Sequence, residues 1–233
     1  MGSSGNTVQR RGGRQQLPEE VASYVRELII SGEVKPGEFL RMEPIAEAVG
    51  VSNTPVREGM LTLRSEGFVE LVPRRGFVVA PFEEQDLRDL FWAQGKLAGE
   101  LAARAAKRMS SEQIESLERL LEEYETAVEG SDESAIAHLG HEFHRRINLA
   151  ADSRRLALLL GSMVRQLPNR FYATIEGHVD ATSQEHSELV DALRRRDARR
   201  ARSLMEAHLD SGATRLIESL EHRGAWMAGE VSA

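Results

Sequence analysis

Three histidines and one short polar helix front hold the residue types in this 233-residue chain that could do chemistry. His144, His186 and His208 fall on three separate segments of helical period. Phe143 and Ile147 flank the first, Leu189 and Val190 follow the second, and Leu204 and Leu209 bracket the third. Neutral imidazole is the commonest nitrogen ligand for borderline divalent metals, and a site needs several rings brought in from separate elements. A lone inward histidine usually just makes a hydrogen bond; three on the inner faces of one bundle point to a bound divalent metal. The second group lies upstream. Ser52, Asn53, Thr54, Pro55 and Arg57 crowd the front of a short helix that Gly67 is placed to close, with Arg64 further along it. An amide and a guanidinium can reach base edges in a DNA major groove, while hydroxyls and helix N-terminal N–H groups hold phosphates.

The punctuation around that helix specifies how it is held. Thr54 is expected as its N-cap, Pro55 as its first helical residue, and Val56, Met60, Leu61 and Leu63 as the flank that docks on a core. Residues 43–50 read as a shorter helix with Pro44 at its start and Gly50 at its end, so the two form a helix-turn-helix. Arg41, just ahead of it, is a candidate phosphate contact. Downstream, residues 68–72 and 77–79 are strand-like around the turn at 73–76, a β-hairpin wing with Arg74, Arg75 and Gly76 at its tip. An earlier helix is expected over 17–31, with Val21, Val25 and Ile29 on its apolar stripe. Residues 1–16 are Gly/Ser/Arg-rich without apolar period and read as a disordered tail.

Beyond residue 82 every segment has helical character. Residues 83–109 carry Leu87, Leu90, Phe91, Leu97 and Leu101 on one stripe, and Gln94 falls within it, a polar group that needs a partner. Ser110 and Gln113 form a capping box for a helix to about residue 129, and Asp132 recaps the chain for one to about 151. The next segment is nearly all apolar from Leu156 to Val164 and is therefore expected at the centre of the bundle, with Pro168 ending it. Two more helices are expected over 181–196 and 198–221. The fold class is thus mainly α: a winged helix over 17–82, an all-helical domain over 83–225, and a frayed tail over 226–233.

Composition limits the alternatives. The sequence has no cysteine, hence no disulfide, thiolate nucleophile or zinc–sulfur site. It has neither a membrane-spanning run nor a leader, so a cytoplasmic location is expected. The net charge of −7 suits a DNA binder only when divided. Residues 1–82 hold ten Lys/Arg and ten Asp/Glu, while the rest hold the full negative excess and all seven histidines, so any DNA-facing charge is local. His141-Glu142-Phe143-His144 superficially looks like a zinc-protease helix, but its histidines are three apart where that motif needs four. No nucleophile elbow or phosphate loop is present, and catalysis is not expected. His138, His178 and His222 read as surface residues.

The stretch PGEFLRMEPIAEAVGVSNTPVREGMLTLRSEGFVELVPRRGFVV closely resembles the DNA-binding domain of the GntR family of bacterial transcription regulators, over roughly residues 17–81. The blocks LAGELAARAA at 97–106, FHRRI at 143–147, Glu185-His186 and Met205-Glu206-Ala207-His208 are similar to the subgroup with an FCD-type effector domain. That resemblance implies His144, His186 and His208 as metal ligands, with an acidic fourth ligand one turn before the first. Here that position is Gly140, so His141 is a possible fourth, and an all-nitrogen site favours zinc or nickel over manganese. Relatives often place an Arg near Gln94 to grip a carboxylate. Gln94 and Gly95 stand there instead, which leaves a carboxylate effector an open choice; Arg165 is a second candidate effector contact. Asn53 stands where the family often has Arg, and its bidentate geometry suits adenine.

The resulting expectation is a homodimeric transcription regulator, most in keeping with a repressor. It binds double-stranded operator DNA, takes a small-molecule effector and touches no membrane. The rival is a metalloenzyme carrying a winged helix as an accessory.

Overall fold

The computed structural model describes residues 9–168, 171–172, 175 and 179–222, without the side chains of 9–15 and 179–181. Residues 1–8 of the expected tail, His178 and the expected frayed stretch 226–233 lie outside the described residues. The described residues fall into two compact units that divide between Glu83 and Glu84.

The first unit comprises α1 (Gln9–Ile30), β1 (Phe39–Leu40), α2 (Met42–Val49), α3 (Asn53–Glu66), β2 (Val69–Val72) and β3 (Gly76–Val79). α1 starts well before residue 17, so residues 9–16 are helical rather than part of a disordered tail. Gln and Arg propagate a helix well, and each residue added upstream of an anchored helix gains a backbone bond. Val21, Ala22, Val25, Ile29 and Ile30 of α1 are buried, as are Val56, Met60 and Leu63 of α3, and the two helices pack together. Leu61 does not join that flank. It lies about 100° around the helix from Met60 and is 44% exposed.

Gly59 sets the approach of α3 to α1. A Cβ there would lie 2.7 Å from the Pro18 carbonyl oxygen and 2.9 Å from Val21 Cγ1. Arg26, fully buried, ties the same helices together. Its Nε and Nη2 donate to the two carboxylate oxygens of Glu66 at 2.7 and 2.9 Å, and its Nη1 donates to Glu19 at 2.9 Å. Left-handed glycines close both helices of the helix-turn-helix: Gly50 has φ 74° and Gly67 φ 86°. The N-cap of α3 is Ser52, in extended conformation, and not Thr54. Helical backbone thus begins at Asn53, which puts Pro55 third; its missing N–H would have had no intrahelical partner there either.

The wing is the expected hairpin, with Val69 opposite Val79 and Val72 opposite Gly76. A third strand, β1, pairs with β3 on its other side, giving the order β1-β3-β2. Two residues are too few to show a period-2 signal, so β1 has no signature in the sequence.

The second unit comprises α4 (Glu84–Arg108), α5 (Ser111–Glu129), α6 (Glu133–Ala150), α7 (Arg154–Val164), α8 (Val179–Arg194) and α9 (Ala198–His222). α4 is the hub and packs on α6, α7, α8 and α9, while α5 packs on α6 and α8. Its small residues let α9 come close: a Cβ on Gly99 would lie 2.7 Å from Glu206 Cγ. Ser110 and Gln113 cap α5 reciprocally, and Asp132 accepts from the Ala135 N–H to open α6.

α7 is not central. Among its residues only Leu160 is buried, while Leu158 and Leu159 are 55% and 56% exposed. An unbroken apolar run has no polar face to mark its outer side, so composition alone could not show that only one face meets α4 and α6. The helix also ends at Val164, ahead of Pro168. No helix among the described residues is long and apolar enough to cross a membrane.

Replacing Gly59 with Ala adds helix propensity but drives a methyl into the backbone of α1. The expected net result is a loss of about 1–3 kcal/mol, read as a lower urea midpoint; an unchanged midpoint would show that α1 yields freely.

Candidate functional site

α6, α8 and α9 bring His144, His186 and His208 to one point, where one ring nitrogen from each lies within 4.8 Å of the others. His208 Nε2 is 3.1 Å from His144 Nε2, and its Nδ1 is 2.7 Å from Glu185 Oε2. The Arg215 guanidinium donates to the other Glu185 oxygen at 2.6 Å and to Thr182 Oγ1 at 3.1 Å. A proton on Nδ1 answers Glu185 and leaves the Nε2 lone pair facing His144, as in carboxylate–histidine–metal arrangements.

His186 is fully buried, with its ring stacked 4.2 Å from that of Phe143, and neither of its nitrogens has a hydrogen-bond partner. Such an unpaired buried group costs about 1–3 kcal/mol. Burial, reinforced by the neighbouring His208, holds the His144 and His186 rings well below the usual imidazole range, in the neutral form that ligates metals. Burial pushes the Glu185 carboxyl up, but hydrogen bonds from His208 and Arg215 outweigh it and hold it below its ordinary value. The donor set therefore fits a borderline divalent cation.

His141 does not join this group. It stands only about 60° around α6 from His144, but its ring lies edge-on to Tyr172, centroids 4.8 Å apart, and is not one of the three that converge. Gly140 is buried and offers no ligand.

Beside the trio is a cavity of about 370 Å³. His144 and His208 form part of its wall, as do Gln94 and Arg165, the two residues singled out in the sequence for an effector. Gln94 is 1% exposed; its Oε1 accepts from the Tyr172 hydroxyl at 3.4 Å, and its Nε2 is unpaired. The Tyr172 hydroxyl also reaches the Val164 carbonyl at 3.3 Å, and burial pushes its pKa well up, so it stays a donor. His141 Nε2 and Asn148 Oδ1, on the same wall, are buried and unpaired too.

Sequence reasoning missed Asn148 and Tyr172. Asn148 had a signal, since it lies four residues after His144 and seven after His141 on one helix face. Tyr172 had none, because it meets Gln94 across 78 residues of chain.

In the first unit, Ser52, Asn53, Thr54, Arg57 and Arg64 on α3 are exposed and Pro55 is half-buried. The Ser52 side chain makes no cap hydrogen bond, so the first-turn N–H groups of α3 face outward uncapped. Arg41 and Arg74 are exposed as well, and Gly76 is half-buried. Among the described residues, Arg41, Arg57, Arg64 and Arg74 make no ion pair. Arg74 and Gly76 have positive φ, 64° and 107°, and turn the wing tip. Arg75 is exposed, but its guanidinium lies 4.3 Å over the Phe39 ring and pins the wing to β1. His138 and His222 are surface residues.

Two family descriptions match the chain: "Bacterial regulatory proteins, gntR family" over residues 17–79, and "FCD domain" over residues 89–211. The HTH-type transcriptional repressor RspR of Escherichia coli K12 is 22% identical, over 93% of this chain and 96% of its own. The Uxu operon transcriptional regulator of the same organism is 28% identical, over 88% of each chain. The solved structure of E. coli McbR/YncC matches with a TM-score of 0.65 and 23% identity, covering 87% of this chain and 98% of its own, a likeness of fold.

Glu185→Gln keeps the size of the side chain that faces His208 but removes its charge. The expected outcome is zinc affinity about 10–100-fold weaker, measured by chelator competition; unchanged affinity would separate this carboxylate from any metal on the histidines.

Proposed function

The chain belongs to the GntR family of bacterial regulatory proteins, in the group that carries an FCD domain, and is a transcription regulator rather than an enzyme. From that premise we propose that the winged helix reads operator DNA and that the helical unit adjusts this reading to a small molecule held beside a divalent metal.

The observation that carries this reading is the cavity whose wall includes two of the three clustered histidines and three unpaired polar atoms. Water or a small molecule can meet these groups in a space of about 370 Å³, and their convergence beside the histidines supports the small molecule. Zinc or nickel suits an all-nitrogen set and an acidic fourth ligand is missing at Gly140, so the remaining coordination positions fall to water or effector.

On the DNA side, Asn53 and Arg57 stand one turn apart on the exposed front of α3 and would address base edges, Asn53 preferring adenine. Ser52, Thr54 and the uncapped N–H groups would hold phosphates, together with Arg41, Arg64, Arg74 and, in part, Arg75. Pro55 and Gly76 shape the helix start and the wing. Two copies in a homodimer would meet successive half-sites of a near-palindromic operator. The effector acts by binding two dimer arrangements with different affinity. The repressor mode follows RspR by name. The rival metalloenzyme has no support among the families matched.

Arg57→Ala should weaken specific duplex binding by about 1–3 kcal/mol in a mobility-shift titration, and an unchanged footprint would remove Arg57 from the interface. His208→Ala should lower the metal content found by elemental analysis while the circular-dichroism spectrum stays helical. Equal metal in both proteins would remove His208 from the ligand set.

A further inference from the structure

The three histidines are not held alike. Neither nitrogen of His186 has a hydrogen-bond partner, whereas His208 is gripped from behind, its Nδ1 2.7 Å from Glu185 Oε2. Glu185 stands next to His186 on α8, so the turn of helix that carries one ring also aims another. A glutamate side chain has several rotatable bonds, and this one is 27% exposed, with water free to draw it off. What keeps it on His208 is Arg215. Its Nη2 donates to Glu185 Oε1 at 2.6 Å and its Nη1 to the fully buried Thr182 Oγ1 at 3.1 Å, so one planar fork spans two residues three apart on α8. Arg215 itself lies about two turns beyond His208 on α9. The carboxylate is thereby held between two side chains of one helix.

The charge of Arg215 works against a bound cation. A guanidinium beside the trio repels a divalent ion, so if charge were its whole effect, losing Arg215 would tighten metal binding. Its aim works for the ion. Without the fork Glu185 is free to turn to water, Nδ1 loses its acceptor, and the ring proton is free to occupy Nε2, the atom that must be bare to ligate. Gly140 offers no acid, and a carboxylate reaches this site through His208 instead. Resting on the reading of His144, His186 and His208 as a divalent-metal site, we propose that Arg215 is its positioning residue: by holding Glu185 on His208 Nδ1, it fixes the tautomer and the direction of the ring that ligates through Nε2.

Zinc affinity of the full-length chain is measured by chelator competition for the wild type, Arg215→Met, Arg215→Gln and Thr182→Val. Both Arg215 variants should bind zinc about tenfold more weakly, against the gain that removing a cation alone would bring. Thr182→Val, which leaves every charge in place, should lower the affinity too. Long-range proton–nitrogen NMR spectra of the zinc-free proteins, with the His208→Ala spectrum to assign the ring, read the tautomer directly. His208 should carry its proton on Nδ1 in the wild type and shift it toward Nε2 in the variants, a change that a general loss of stability does not produce. Circular dichroism and thermal melts identify which variants are folded, and any folded one carries the test.

Unweakened zinc binding in the folded variants, or a His208 proton that stays on Nδ1 in them, would overturn the positioning role and leave the three histidines as a metal site. If the wild-type chain takes up neither zinc nor nickel, the metal reading falls, and the role of Arg215 with it.

Discussion

A polar atom taken out of water must find a partner, and the helical unit is arranged around several that have not. His186 has two ring nitrogens in a fully buried position and a bond to neither. His144 and His208 turn one nitrogen each toward the other at hydrogen-bond distance, and the neighbouring cavity adds unpaired atoms from Gln94, His141 and Asn148. Each unanswered His186 nitrogen costs about 1–3 kcal/mol, a large fraction of the 5–15 kcal/mol by which a typical domain is stable. The packing that brings them together is otherwise of ordinary quality: one face of α4 is buried along its length, and Gly99 lets α9 approach it closely. The unit is complete as a hydrophobic core and incomplete as a polar one.

That imbalance gives an occupant its leverage. Anything that binds the folded unit and satisfies these atoms stabilises it by mass action, more so the arrangement whose wall it fits best. Glu185 extends the network outward, since it receives His208 on one oxygen and Arg215 on the other, and Arg215 reaches Thr182 on α8. A change at the histidines is therefore felt between α8 and α9.

The first unit works by the opposite principle. Among its described residues no buried side-chain polar atom lacks a partner: Gly59 seats α3 against α1, and buried Arg26 closes on Glu66 and Glu19. Rigidity inside allows exposure outside. The front of α3 keeps Asn53, Arg57 and an uncapped first turn in solvent, and the positive charge is placed on the helix front and wing rather than spread over the surface.

Several of these features were legible without coordinates. The turn glycines Gly50 and Gly67, the Ser110 capping box and the period of α4 are local signals, and local sequence determined them because a cap or a left-handed turn depends on a few neighbouring residues. The inward character of the three histidines followed from their apolar flanks in the same way. Tertiary structure alone decided which face of the all-apolar α7 is covered, that two residues at Phe39–Leu40 become a sheet edge, and that Arg26 is buried at all. It also decided that His141 leaves the trio for Tyr172 and that Asn148 joins the cavity. These depend on what a distant segment brings to the same place, and a side chain's own neighbours along the chain carry no record of that.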